Sequence, residues 1–134
     1  AILTTVGLDG YPNTRWMATH TLMGSVNTMF TITSPFSKKA REIEANPNVT
    51  WLISRVNYTE VLKLFGKATI ESHPLLKSQI WEAVGPRTER YFTIHQGRPE
   101  YAVIVTEVTA IEYYAPIDNM YEPVRIELEE GAHE

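Results

Sequence analysis

Short runs of alternating polarity, cut by turn signals, set the limits on what this chain can fold into. Glu60–Glu71 puts Leu62, Leu64, Gly66, Ala68 and Ile70 on one side of an extended chain, and Asn48–Arg55 does the same with Val49, Trp51 and Ile53. Tyr101–Tyr114 is the longest such run, with Ala102, Ile104 and Thr106 opposing Tyr101, Val103 and Val105. Ala1–Val6, Asn13–Leu22 and Thr28–Thr33 complete six predicted strands. Leu8–Pro12, with Asp9-Gly10 at its centre, and Met23–Asn27 read as turns. Only two segments have clear helical spacing. One opens at Ser34-Pro35 and stops at Asn46-Pro47; the other runs from His73-Pro74 to about Val84 with Leu76, Ile80 and Ala83 on one face. Arg87–Gly97 reads as a short helix or a loop.

Many strands and few helices argue against alternating βαβ units. They predict an antiparallel barrel or sandwich, and a barrel has the merit of leaving no exposed edge. Gly66, inside an alternating run, predicts a bulge, a barrel bend or a close backbone approach. After Ala115 the pattern fades. From about residue 116 the chain carries Asp118, Glu122, Glu127, Glu129, Glu130 and Glu134 against Arg125, which predicts a flexible acidic end or an arm lying on a partner. There is no repeat and no dividing linker, so residues 1–134 are expected to form one domain.

Composition narrows the function classes. At 134 residues, 43% apolar and 21% charged, the chain is long enough for a real core and has the balance of a soluble globular protein. A net charge of -4, with no basic tract beyond Lys38-Lys39-Ala40-Arg41, argues against a nucleic-acid partner. The lack of cysteine removes disulfides, thiolate metal sites and cysteine nucleophiles, and fits a cytoplasmic setting. No apolar run reaches the roughly 20 residues that would span a bilayer as a helix, so no membrane partner is expected.

The chemistry concentrates at the first helix. Ser34 or Ser37 can cap it, Pro35 suits its first position, and Phe36, Ala40 and Ile43 fall at i, i+4 and i+7. Lys38 and Lys39 then lie in the first turn, where the helix dipole is positive and cations cost about 0.3–1 kcal/mol each. Both side chains are expected to be exposed. Such a pair makes sense with an anion among them, and a phosphate at a helix N-terminus is the ordinary case.

Thr31, Thr33, Ser34 and Ser37 supply hydroxyls around the same turn. Arg15, mid-strand, offers a guanidinium that can grip phosphate bidentately. Taken singly, Arg15 reads as a solvated strand charge, the hydroxyls as strand and cap residues, and Trp16 and Met17 as core. The signal lies in their convergence. Glu42 and Glu44 read as solvated helix carboxylates. His20, His73, His95 and His133 lack metal-ligand spacing, and neither a Gly-x-Ser-x-Gly elbow nor a Gly-x-Gly-x-x-Gly loop occurs. Tyr113-Tyr114 closes the long strand as a core, interface or ring-stacking pair.

In order and spacing these elements resemble the pyridoxamine 5′-phosphate oxidase-like, flavin-binding split-barrel family, most of all its short general-stress-protein branch. The resemblance is carried by Ala1–Val6 with Asp9-Gly10-Tyr11-Pro12, Arg15-Trp16-Met17, Phe30–Ser34 with Ser37-Lys38-Lys39, and Glu42–Val49. Phe65-Gly66-Lys67-Ala68 and Ile111–Tyr114 complete it. It spans nearly the whole chain. It implies a split β-barrel and a homodimer with two FMN molecules at the subunit interface.

Position by position, the resemblance implies that Arg15 and Lys39 contact the FMN phosphate, with Lys38 and Ser37 beside them. Trp16, Met17 and Ala18 would run along the flavin ring, and Thr31, Ile32, Thr33 and Ser34 would line the ring and ribityl side. Glu60 and Val61 would reach the cofactor of the partner chain, and Tyr114 stands where many members place a tryptophan. The true oxidases continue with an Arg-x-His segment, whereas here Tyr114 is followed by Ala115-Pro116-Ile117-Asp118-Asn119-Met120. Pyridoxamine-phosphate oxidation is therefore not expected. The expected function is an FMN-dependent oxidoreductase acting on an unassigned small molecule. The alternatives are a reductase using the deazaflavin F420, or a non-catalytic flavin- or haem-binding stress protein. No catalytic acid or base and no metal ligand is assigned.

Overall fold

A computed structural model of the chain describes residues 1–22, 24–83, 100–118 and 120–128. Its strands are β1 (Ile2–Val6), β2 (Pro12–Trp16), β3 (Thr28–Thr33), β4 (Asn48–Ser54), β5 (Val61–Glu71), β6 (Ala102–Ala115) and β7 (Met120–Glu127). Helix α1 covers Lys38–Ala45, and a second helix, α2, covers residues 74–83. Single 3₁₀ turns lie at Val56–Tyr58 and Pro116–Asp118. The Arg87–Gly97 segment, His95 and the acidic residues from Glu129 onward lie outside the described residues.

The seven strands form one sheet in the order β2-β1-β4-β5-β6-β3, with β7 also paired to β6. Every pairing is antiparallel. The sheet curls because the chain leaving β2 crosses to the far edge. Met17 N–H donates to the Ala1 carbonyl at 2.9 Å, and His20 then exchanges hydrogen bonds with Phe30 of β3 at 2.9 and 2.7 Å. That one bridge joins the two ends of the strand path. It also shows why the predicted strand Asn13–Leu22 is shorter than expected, since the segment changes partner partway along.

Alternation builds the inner core. Leu3, Met29, Val49, Trp51, Leu64, Ala68 and Ile104 point inward, and Ile43 of α1 joins them from one side. Trp51 is 0% exposed, and its indole N–H donates to the Thr106 hydroxyl at 3.2 Å. Each large apolar side chain buried this way contributes roughly 1.5–3 kcal/mol. A second core forms on the outer face of β3 and β6, where Phe30 and Val103 meet Ile80 of α2, with Leu22, Ile32 and Leu76 beside them. Leu76 and Ile80 thus face inward as their spacing predicts, but Ala83 is exposed.

Gly66 sits at the break in register between β5 and β6. A Cβ there would lie 2.5 Å from the Glu107 carbonyl oxygen and 2.9 Å from Cγ2 of Thr106. The glycine is required by the close approach of backbone at this bulge. Gly10, with φ of +88°, turns the β1–β2 hairpin in the left-handed region that glycine enters without strain.

Within the stretch where the sequence pattern fades, Met120–Glu127 forms a strand, β7, paired with β6. Its residues 121–127 are all exposed, so no buried face imposes an alternation that sequence could reveal.

Candidate functional site

Helix α1 begins one turn later than Pro35 suggests. Ser37 is its N-cap, with extended backbone and a side-chain oxygen that accepts from the Ala40 N–H at 3.3 Å. Ser34 instead accepts from the Phe36 N–H at 3.2 Å, tightening the turn that enters the helix. Phe36 lies outside the helix and is exposed, so the buried stripe consists of Ala40, Glu42 and Ile43.

Glu42 overturns the expectation of a solvated carboxylate: it is 0% exposed. Its Oε1 accepts from the Thr5 hydroxyl at 3.0 Å and from Arg15 Nη2 at 3.2 Å, and its Oε2 accepts from the Asn13 side-chain amide. Burial alone would raise the carboxyl pKa, but the bonds from Asn13, Thr5 and Arg15 outweigh it and hold the pKa below the ordinary value. Glu44, by contrast, is exposed as expected.

Arg15 is therefore not a plain surface charge. Its Nη1 donates to the Thr5 hydroxyl at 2.7 Å and the Asn13 carbonyl at 3.0 Å, with the Leu3 carbonyl further off at 3.5 Å. With Nη2 on Glu42, three of the five guanidinium N–H groups are engaged. The Nε–H and one Nη2–H have no partner among the described residues, and together they form one edge of the guanidinium fork. The side chain remains 23% exposed, so the edge is within reach of a solute.

Lys39 stands beside this guanidinium. Loss of solvent lowers its pKa, and repulsion from Arg15 lowers it further. Lys39 is half-buried, which corrects the expectation that both lysines are exposed; Lys38 is exposed. The backbone N–H groups of Lys38 and Lys39 have no i−4 carbonyl within the helix and no other partner among the described residues. Two cations, a free guanidinium edge and two backbone donors thus gather at one helix start, and the nearest carboxylate is already committed on both oxygens. The donor set suits a phosphate dianion.

Of the hydroxyls, Ser37 and Thr33 lie 3.4 Å apart, whereas Thr31 donates to Thr19 at 3.2 Å inside the barrel. Ile32 turns to the other face and packs in the core beneath α2. Trp16 is 78% exposed and Ala18 is also exposed, while Met17 packs against the inner core. Trp16, the last residue of β2, and Ala18 just beyond it thus face outward, opposite the Arg15 side chain.

The remaining predicted residues are not brought to this place. Val61 pairs with Tyr114 where β5 begins and β6 ends. The Tyr113 hydroxyl donates to Glu60 at 3.0 Å, and Glu60 also pairs with Arg55. Thr33, next to the cation cluster, pairs with Ala102 at the start of β6. Ala102 and Tyr114 are twelve residues apart, about 40 Å of strand contour. Strands β1 and β4 separate Arg15 from β5. Within the chain the two groups form separate surfaces.

Sequence reasoning missed Glu42, Thr5 and Asn13. The available signal was a carboxylate one residue before Ile43, on the inward side of a short helix.

A family model described as pyridoxamine 5′-phosphate oxidase matches residues 1–115. Among solved structures, the chain is similar to a protein related to general stress protein 26 from Clostridium acetobutylicum. The identity is 17%, the TM-score 0.75, and the match covers 95% of this chain and 84% of that one. It is also similar to general stress protein 26 from Bacillus anthracis, with 25% identity, a TM-score of 0.66, and 95% and 87% of the two chains covered. A pyridoxamine 5′-phosphate oxidase-related, FMN-binding protein from Nostoc punctiforme matches at 13% identity and a TM-score of 0.64, over 96% and 86% of the chains. No curated protein is a significant match to the sequence. No helix among the described residues is long and apolar enough to cross a membrane.

Proposed function

Because this chain belongs to the pyridoxamine 5′-phosphate oxidase family, we propose that it binds FMN and serves as a flavin-dependent oxidoreductase of unassigned substrate. The observation that carries the reading is the pairing of half-buried Lys39 with the open edge of Arg15 at the start of α1, two like charges whose repulsion an anion would relieve. The similarity to an FMN-binding protein from Nostoc punctiforme supports reading that anion as the phosphate of a flavin. Lys38, Lys39, Arg15 and the first-turn N–H groups would hold the phosphate. Trp16, exposed and on the outer face, would offer a surface to the ring. The isoalloxazine, when bound, supplies the electron transfer; the protein supplies binding, orientation and local charge.

The second half of the reading is a homodimer. Glu60, Val61 and Tyr114 are too far along the sheet to reach the phosphate cluster of their own protomer, so a second copy would bring them to it. Exposed apolar side chains at Val56, Tyr58, Ile117 and Tyr121 surround that end of β6 and suit burial against another copy. The segment after Tyr114 offers no Arg-x-His grip for pyridoxal phosphate, which argues for a different substrate.

The visible spectrum of the purified protein, alone and after adding FMN, tests the proposal. Flavin absorbance that stays with the protein through gel filtration is the expected result. A protein that takes up no FMN would refute the reading, and displacement of FMN by F420 at lower concentration would reassign the cofactor to the deazaflavin class.

A further inference from the structure

We propose that Glu42 is a positioning residue for the phosphate site, acting through Arg15. This inference rests on the flavin-phosphate reading above and goes beyond it by naming the group that aims the guanidinium.

Glu42 cannot touch a ligand itself. It is fully buried, and both carboxylate oxygens accept from groups of its own chain: Thr5 and Arg15 on Oε1, Asn13 on Oε2. What it does is hold a plane. Arg15 is clamped from two directions, by Glu42 on Nη2 and by the Thr5 hydroxyl and Asn13 carbonyl on Nη1. Thr5 joins the two arms, since its hydroxyl accepts from Arg15 at 2.7 Å and donates to Glu42 at 3.0 Å. A guanidinium is flat, so fixing Nη1 and one Nη2–H also fixes the direction of the Nε–Nη2 edge. That edge is the part left open to a solute. The clamp spans β1, β2 and α1, and so it also sets where the guanidinium stands relative to Lys39, one turn earlier in the same helix.

A phosphate gains most from donors already in place, because no side-chain freedom is then lost on binding. A swinging Arg15 would still be a cation, but it would lose the two-bond grip that distinguishes a phosphate ester from an uncharged analogue. The clamp therefore governs preference for phosphorylated over unphosphorylated flavin and leaves the affinity for the ring unaltered.

The experiment compares FMN with riboflavin, which carries the same ring and lacks the phosphate, by quenching of flavin fluorescence. In the wild type FMN is expected to bind far more tightly. Glu42→Gln keeps the shape and removes the charge, and is expected to cut the FMN-over-riboflavin preference roughly tenfold or more with riboflavin affinity unchanged. Arg15→Ala should produce the same loss, and Glu42→Gln combined with Arg15→Ala should be no worse than Arg15→Ala alone. If Glu42→Gln does not yield folded protein, Thr5→Val cuts the same clamp with little change of volume and carries the same expectation. An unchanged preference, an equal loss for both ligands, or additive effects in the double variant would each overturn the positioning role while leaving FMN binding intact. A wild type that binds FMN no better than riboflavin would instead overturn the phosphate reading itself.

Discussion

The start of α1 and the far end of β6 are built in opposite ways. At the start of α1 the buried side chains have their partners within the chain: Glu42, Thr5, Asn13 and the inner side of Arg15 close on one another, and among the described residues no buried side-chain polar atom lacks a hydrogen bond. At the far end of β6 the chain presents Val56, Tyr58, Ile117 and Tyr121 to solvent, with Val56 85% exposed. The first region is a finished structure with one open edge; the second has the surface of one half of an interface. On the proposed reading, a site that uses both would take charge and geometry from one copy and apolar cover from a second.

The contrast can be broken most severely at Glu42. Glu42→Ala leaves Arg15, Thr5 and Asn13 without their shared acceptor and should cost about 3 kcal/mol in chemical denaturation. That is the low end for a broken buried ion pair, because Arg15 is 23% exposed. At the other end, Val56→Asp with Ile117→Asp should weaken self-association by roughly two orders of magnitude in sedimentation equilibrium. A carboxylate forced into an apolar contact costs several kcal/mol. The fold of each protomer should survive, as both positions are exposed. An unchanged association constant would show that this end does not face another copy.

Smaller changes sharpen the first region. Lys38→Ala with Lys39→Ala should weaken FMN binding roughly tenfold or more without lowering the melting temperature, since removing a desolvated, repelled cation relieves the free protein. Ser37→Ala should cost about 1 kcal/mol of stability through loss of the cap on the Ala40 N–H.

Acid and alkali act on different groups. Glu42 has a depressed pKa in the folded chain, so its contribution to stability is present above the unfolded value near 4.5 and is lost as pH falls through the folded value below that. Lys39 has a pKa below 10.5, and a bound anion favours its protonated form. FMN affinity measured against pH should therefore decline on the alkaline side before an ordinary lysine would titrate. A flat profile up to pH 10.5 would separate Lys39 from the phosphate.

Much of the fold was legible because inward faces repeat with period two. Asn48–Ser54 and Val61–Glu71 each needed only alternation and a flanking turn. A serine cap was legible, as Ser34 or Ser37, because capping is local, and the structure selects Ser37. β7 was not, since a strand exposed on all its described residues has no buried face to mark it. Of the candidate site, Arg15, Ser37 and Lys39 could be proposed as neighbours from the family's order of motifs. The commitment of Arg15 to Glu42 could not.

By itself the sequence determined most of the extended segments, that a serine at 34 or 37 caps α1 and which cations stand at its start, because each of these depends on residues within a turn or two of one another. The tertiary structure alone decided that Glu42 is buried and what it holds. Arg15 and Glu42 are 27 residues apart and meet only when β2 pairs with β1 and α1 packs against them. Burial makes that contact consequential, since a carboxylate removed from water must find donors, and those it finds fix the direction in which the guanidinium points.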